Sequence, residues 1–177
     1  MFISIGLVFA AKDSGNNKNF WEKMTVTGKI SNIDKKNNQV TLRDQSGNEI
    51  SFAVDNKIDL SNFKNGDSVS AQYFRAVALN ISKPTPDQEK AGNMVIERKT
   101  FSPVGIDIGG ESLKQVKAIV DIKAIDSAKN EITVIGPDNK EIKILVPNGD
   151  MLTNFKKGEK AVIEYTESLA TSLEKIK

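Results

Sequence analysis

From Met24 onward the chain alternates apolar and polar positions with the two-residue period of strands. In MTVTGKISNID, Met24, Val26, Gly28 and Ile30 fall on one face, and Thr25, Thr27 and Lys29 on the other. A polar turn, KKNNQ, leads into QVTLRDQSGNEISFAV. There Val40 and Leu42 alternate with Thr41 and Arg43, Ser46-Gly47-Asn48 reverses the chain, and Ile50, Phe52 and Val54 form a second apolar row. That is the pattern of a hairpin. In DLSNFKNGDSVSAQYFRAVALNI, Leu60 and Phe63 stand three apart in a segment too short for a full helix. A single 3₁₀ turn would plug the floor of a small barrel with both side chains. Gly66 would end that turn and start a long strand, Val69–Leu79.

The pattern occurs twice. Sliding the chain by 92 residues lays Ile33-Asp34 on Ile125-Asp126, Asn62-Phe63-Lys64 on Asn154-Phe155-Lys156, Gly66 on Gly158 and Tyr73 on Tyr165, with no gap between them. Two copies of one β module follow. A short curved sheet that must bury a core and leave no open edges closes into a barrel. The expected fold is therefore all-β: two tandem small OB-like (or SH3-like) β-barrels joined by an irregular linker. The pattern divides the chain into a leader at 1–19, a first barrel at 20–81, a linker at 82–113 in which Met94–Arg98 would be either a fifth strand for the first module or a strand crossing between modules, and a second barrel at 114–177. Val104-Gly105-Ile106-Asp107-Ile108-Gly109-Gly110 reads as a strap between modules.

Composition removes several kinds of chemistry. The chain has no His and no Cys, which excludes imidazole catalysis, thiolates, disulfides and the usual zinc or copper ligand sets. Residues 24–80 carry seven Lys/Arg against six Asp/Glu, and residues 116–170 carry eight against nine. Neither copy has the concentrated positive charge that backbone-driven nucleic-acid binding uses. The N-terminal MFISIGLVFAA is apolar and is followed by the polar KDSGNNKN. Val8-Phe9-Ala10 has the small-x-small form of a signal-peptidase site, and the run is too short to span a bilayer. No Lys or Arg precedes it, which a start codon set too far downstream would explain; the alternative is an N-terminal core strand. The favoured reading is a secreted or periplasmic chain whose mature form has no transmembrane segment.

No catalytic, cofactor or metal set emerges. Gly105, Gly109 and Gly110 lack the spacing of a phosphate loop. Asp34 and Asp126 fit Asx capping of the turn that follows them, and Asp67 and Glu159 fit an anion–backbone bond after the turn glycine. Phe52, Phe63 and Phe155 fit core duty. Phe74 is off the inward register, and Thr166 stands at its place in the second copy. Trp21, Phe74, Arg43 and Arg75 are the candidate partner contacts.

The sequence of motifs resembles uncharacterised secreted bacterial proteins built of one or two small β-barrel modules. The motifs are apolar-x-G-x-apolar-x-x-I-D, a T-[LV] hairpin, L-x-x-F-K-x-G-[DE], and a strand ending Y-x-x-[AS]-[VL]-A. The likeness covers residues 24–79 and 116–170. It implies an envelope or periplasmic protein, non-catalytic, that binds a protein or another envelope component. The alternative is an OB-type binder of nucleic acid or oligosaccharide, touching its ligand through Lys35, Lys36, Arg43, Lys64 and Arg75.

Overall fold

The computed structural model describes residues 23–101 and 113–177. The first copy forms β1 (Lys23–Asp34), β2 (Gln39–Arg43), β3 (Glu49–Val54), a 3₁₀ turn (Leu60–Asn62), β4 (Ser68–Phe74) and β5 (Ala76–Ser82). A short helix, α1 (Pro86–Ala91), and β6 (Met94–Phe101) come next. The second copy repeats the order: β7 (Leu113–Asp126), β8 (Glu131–Ile135), β9 (Glu141–Leu145), a 3₁₀ turn (Gly149–Leu152), β10 (Lys160–Thr166) and β11 (Leu169–Lys175).

Strand pairing corrects the expectation of two tandem barrels in chain order with an irregular linker. One closed barrel is present, β1-β2-β3-β11-β4, and its fourth member comes from the second copy. The other strands make a six-stranded sheet, β10-β5-β9-β8-β7-β6, which an additional β10–β7 pairing draws into a ring. β5, from the first copy, belongs to it. The two copies thus exchange their last strands. β11 runs parallel to β3 (Leu169 opposite Ala53) and antiparallel to β4, while β5 runs parallel to β9 (Val77 opposite Leu145) and antiparallel to β10. The joints explain the exchange. Only Arg75 separates β4 from β5, and only Glu167 and Ser168 separate β10 from β11. A hairpin needs at least two loop residues with special backbone angles, so the chain at Arg75 runs on into the neighbouring sheet. The linker is not irregular either. α1 begins with Thr85 and Gln88 in a reciprocal capping box, and β6 pairs antiparallel with β7.

Each core is correspondingly mixed. In the barrel, Val40, Leu42, Phe52, Val54 and Val69 pack with Ala170 and Leu173 from the far end of the chain. In the six-stranded sheet, Ile122, Ile132, Val134, Ile144 and Ile163 pack with Ala76, Ala78 and Ile81 from the first copy. A third cluster joins the two: Ala53, Phe74, Leu113 and Leu169 are buried together, with Phe101 packed against them.

The repeat holds in fine detail. β1 has a bulge between Ile30 and Asn32 against β2, and β7 has one between Ile122 and Ala124 against β8. Asn38 and Asn130 adopt φ of 51° and 50°, and their carbonyls accept the N–H of Val54 and Val146. Asn tolerates that left-handed conformation better than most residues. Gly66 and Gly158 have φ of 91° and 90°, and their N–H groups donate to Ile30 and Ile122, 2.8 Å in both copies. Gly28 differs from its counterpart Val120 for a steric reason. A Cβ on Gly28 would lie 2.6 Å from the Arg43 carbonyl oxygen.

If β11 completes the barrel, a chain ending at Glu167 leaves both β3 and β4 with open edges. We expect amide protection to collapse in β2, β3 and β4 by at least about a hundredfold, since those bonds then open locally. A truncated chain with unchanged protection there would contradict the exchange.

Candidate functional site

The shared phrase NFKNGD / NFKKGE sits where the exchange is fastened. Leu60 and Leu152 are buried, and the N–H of Phe63 and of Phe155 closes the 3₁₀ turn on each. Phe155 is buried and Phe63 half-buried against their cores. After the turn, Asp67 accepts the Lys64 N–H (3.0 Å) and Glu159 accepts the Lys156 N–H (2.9 Å). Each acid also meets a lysine of the other copy. Lys175, at the end of β11, lies 2.9 Å from Asp67 and 5.8 Å from the centre of the Phe63 ring. Lys83, just past β5, lies 2.6 Å from Glu159 and 4.5 Å from the Phe155 ring centre. The lysine hydrogen bonds, followed by the turn N–H groups, hold both carboxyls below their ordinary range. This phrase is architecture, fixed by the residues that cross.

The seam between the sheets is polar at its edges and apolar at its centre. The Ala76 N–H donates to Ser168 Oγ (3.0 Å) and the Val77 N–H to Thr166 Oγ1 (3.2 Å), with Thr166 fully buried. Arg75 pairs with Glu131 across the two copies, and Arg98 of β6 pairs with Glu167 (2.8 Å). Among the described residues no buried side-chain nitrogen or oxygen lacks a partner.

Two concavities are candidates for a ligand. One, about 70 Å³, lies beside the β10–β11 joint and is lined by Asn38, Asp55, Asn56, Lys114, Glu167 and Ser168, among others. Asp55 is turned to its own loop, where it accepts the Lys57 N–H (2.8 Å), and Glu167 is taken by Arg98. The other is a shallow, open hollow between α1 and β10, lined by Lys83, Glu89, Gly158, Glu159 and Lys160. Three of its four charged groups are committed. Lys83 holds Glu159, and Lys160 is 2.6 Å from Asp121 and 2.8 Å from Asn93. Among the described residues there is no group of three or more His, Cys, Asp or Glu that could hold a metal ion. No described helix is long and apolar enough to cross a membrane.

Three of the four sequence-derived contact residues are described. Trp21 lies outside the described residues, as do the N-terminal apolar run and the glycine-rich strap at 104–110. Phe74 is 1% exposed in the seam cluster. Its off-register position, which suggests a contact residue, reflects a chain passing between sheets. Arg43 is exposed but paired with Glu49 at 2.7 Å, and Arg75 is tied to Glu131. Of the nucleic-acid contacts of the alternative reading, Lys35 and Lys36 precede β2, Arg43 ends it, Lys64 follows the 3₁₀ turn, and Arg75 is in the seam. What sequence reasoning missed is β6 as an edge. It pairs with β7 on one side and with no described strand on the other. Met94 and Ile96 on it are 44% and 41% exposed. Its alternation is broken by a bulge between Val95 and Glu97.

No protein-family model matches this chain, and no curated protein matches it.

Two outcomes are expected. Phe74→Ala removes the largest side chain of the seam and should cost roughly 3–5 kcal/mol in urea unfolding; a change within about 0.5 kcal/mol would mark it instead as an ordinary surface residue. Acid should act through the turns. Asp44, held low first by Asn48, and Asp34, held low first by Asn37, have folded pKa values below the ordinary 3.8. Their contribution is present above that value and is lost as pH falls through the lower folded values. Denaturation followed below pH 4 should therefore move less in Asp34→Asn and Asp44→Asn than in the parent chain.

Proposed function

We propose that the chain is a non-catalytic binding protein of the cell envelope, exported to the periplasm or beyond, that docks a protein or another envelope component through its strand edges. The observation that carries this reading is β6. A strand of eight residues at the end of a sheet, with Met94 and Ile96 exposed, offers both backbone groups and apolar surface to a partner. Soluble proteins blunt such edges with charge. Glu97, Arg98 and Lys99 do so only along the second half of the strand.

Two further features support the reading. The concavities are small or shallow, and most of their charged groups are paired within the molecule. The apolar run before Ala11, with small residues at its end, supports export.

The test has two arms. N-terminal sequencing of the protein made from its own start in a bacterial host should find a chain that begins close after Ala10; an intact N-terminus on a cytosolic product would defeat the export reading. In the second arm, full-length protein and a Met94→Asp/Ile96→Asp variant are compared for capture of solubilised envelope proteins. The variant should fold normally and lose about tenfold or more in affinity for a discrete partner, equivalent to about 1.4 kcal/mol. Equal capture by both would remove β6 as the docking edge.

A further inference from the structure

The internal repeat reveals a second edge, in the barrel, that is incomplete by comparison with its counterpart. β7 carries β10 on one side along Gln115–Asp121; on its other side it carries β8 beyond Asp121 and β6 along Leu113–Ile119. β1 carries β4 on one side along Lys23–Lys29, and on the other β2 only from Lys29 onward. No described strand covers Lys23–Gly28 on that side. Where β6 lies in one sheet, the other has an open stretch.

Burial records the difference. Val116 and Ala118 are 1% and 0% exposed beneath the β6–β7 pair, with Val95 of β6 packed against the same core. Their counterparts Met24 and Val26 face the barrel core but remain half-buried. Ile119 is buried and its counterpart Thr27 is half-buried. The backbone is aimed correctly as well. The N–H and C=O of Ile30 both bond on the β4 side, to Asp67 and Gly66. Strand alternation then turns the backbone groups of Lys29 toward β2 and those of Thr27 and Thr25 toward the open side. Past Thr27 the edge ends, because the Arg43 carbonyl sits over Gly28.

We propose that Lys23–Thr27 of β1 is a strand-addition site that takes an extended, acidic segment of a partner protein, antiparallel, in the place β6 holds on β7. Charge selects this occupant. Lys23, 5.6 Å from the centre of the Phe74 ring, is exposed at one end of the stretch, Lys29 is exposed two residues past the other, and Thr25 between them is exposed. A carboxylate at one end of an incoming strand lies opposite Lys23, one opposite Thr27 reaches Lys29 on the diagonal, and apolar residues between them cover Met24 and Val26. A second copy fits less well, since antiparallel pairing of two β1 edges over Lys23–Thr27 sets Lys23 of each copy diagonally beside Lys29 of the other, where like charges repel. The site rests on the binding reading above but uses a different edge from β6.

Full-length protein is tested with a capped five-residue peptide, Glu-Val-Thr-Val-Glu, and with the same peptide carrying Lys at both ends. In the free protein the amides of Thr25 and Thr27 should exchange at least about a hundredfold faster than those of Lys117 and Ile119, which β6 covers. The acidic peptide should slow Thr25 and Thr27 specifically and bind about tenfold or more tightly than the Lys-ended one. Lys23→Glu/Lys29→Glu should reverse that preference. Thr27→Pro, which removes an N–H on the open side and spares the β4 ladder, should abolish binding in a protein that still unfolds cooperatively. Equal affinity for both peptides, or no slowing of the two amides, would overturn the proposal. Protection already present in the free chain would overturn it too. If independent of concentration, it would place the chain's own residues on the edge; if concentration-dependent, a second copy. Met94→Asp/Ile96→Asp should leave peptide binding unchanged, so a failure of the β6 docking surface and a failure of this site are read separately.

Discussion

Everything in this molecule depends on one constraint: a five-strand ring of this size cannot close on the strands its own repeat supplies in sequence order. β4 ends at a one-residue joint, too short to turn the chain back, and the two-residue joint after β10, Glu167-Ser168, lacks the positive φ that a two-residue hairpin needs. The next strand has to go forward, and forward lies the other sheet. Each sheet is then completed by the strand the other gives up. Unpaired strand edges are costly in solution and prone to association, so the reciprocal exchange satisfies both sheets at once. It also makes the two halves thermodynamically inseparable, because neither core is complete without residues from the other.

The rest of the architecture fastens that exchange. Lys83 and Lys175 follow the crossing strands and return to the turn acids and aromatic plugs of the opposite copy. Exposed ion pairs of this kind contribute little individually, up to about 1 kcal/mol. Burial of Phe74, Leu113 and Leu169 between the sheets contributes more, since fully burying one such side chain stabilises by about 1.5–3 kcal/mol. The lysines therefore set register, and the apolar seam supplies most of the energy.

Much of this is legible in the sequence. Alternation locates β1, the β2–β3 hairpin and their copies, and the constant offset anticipates the paired turn glycines Gly66 and Gly158 and the plugs Leu60 and Leu152. The exchange is not legible, because a repeat reads identically whether its last strand returns to its own sheet or crosses to another. One trace of it is present. The expected strand Val69–Leu79 is too long for a small barrel, and it divides at Arg75 because it serves two sheets. Phe74 falls on the outward face of the pattern for the same reason: alternation assigns faces relative to one sheet, and this residue lies between two. The edges escape sequence reasoning because they depend on which strands are neighbours in space. The half of β1 that no described strand covers becomes visible only beside a β7 that carries β6.

The measurement that tests the exchange most directly is a set of interstrand backbone NOEs on the full-length protein in solution. Strand exchange predicts contacts between Leu169 and Ala53 and between Val77 and Leu145. Contacts of Val77 with Ala53, or of Leu169 with Leu145, would mean that each repeat keeps its own last strand, and would contradict it.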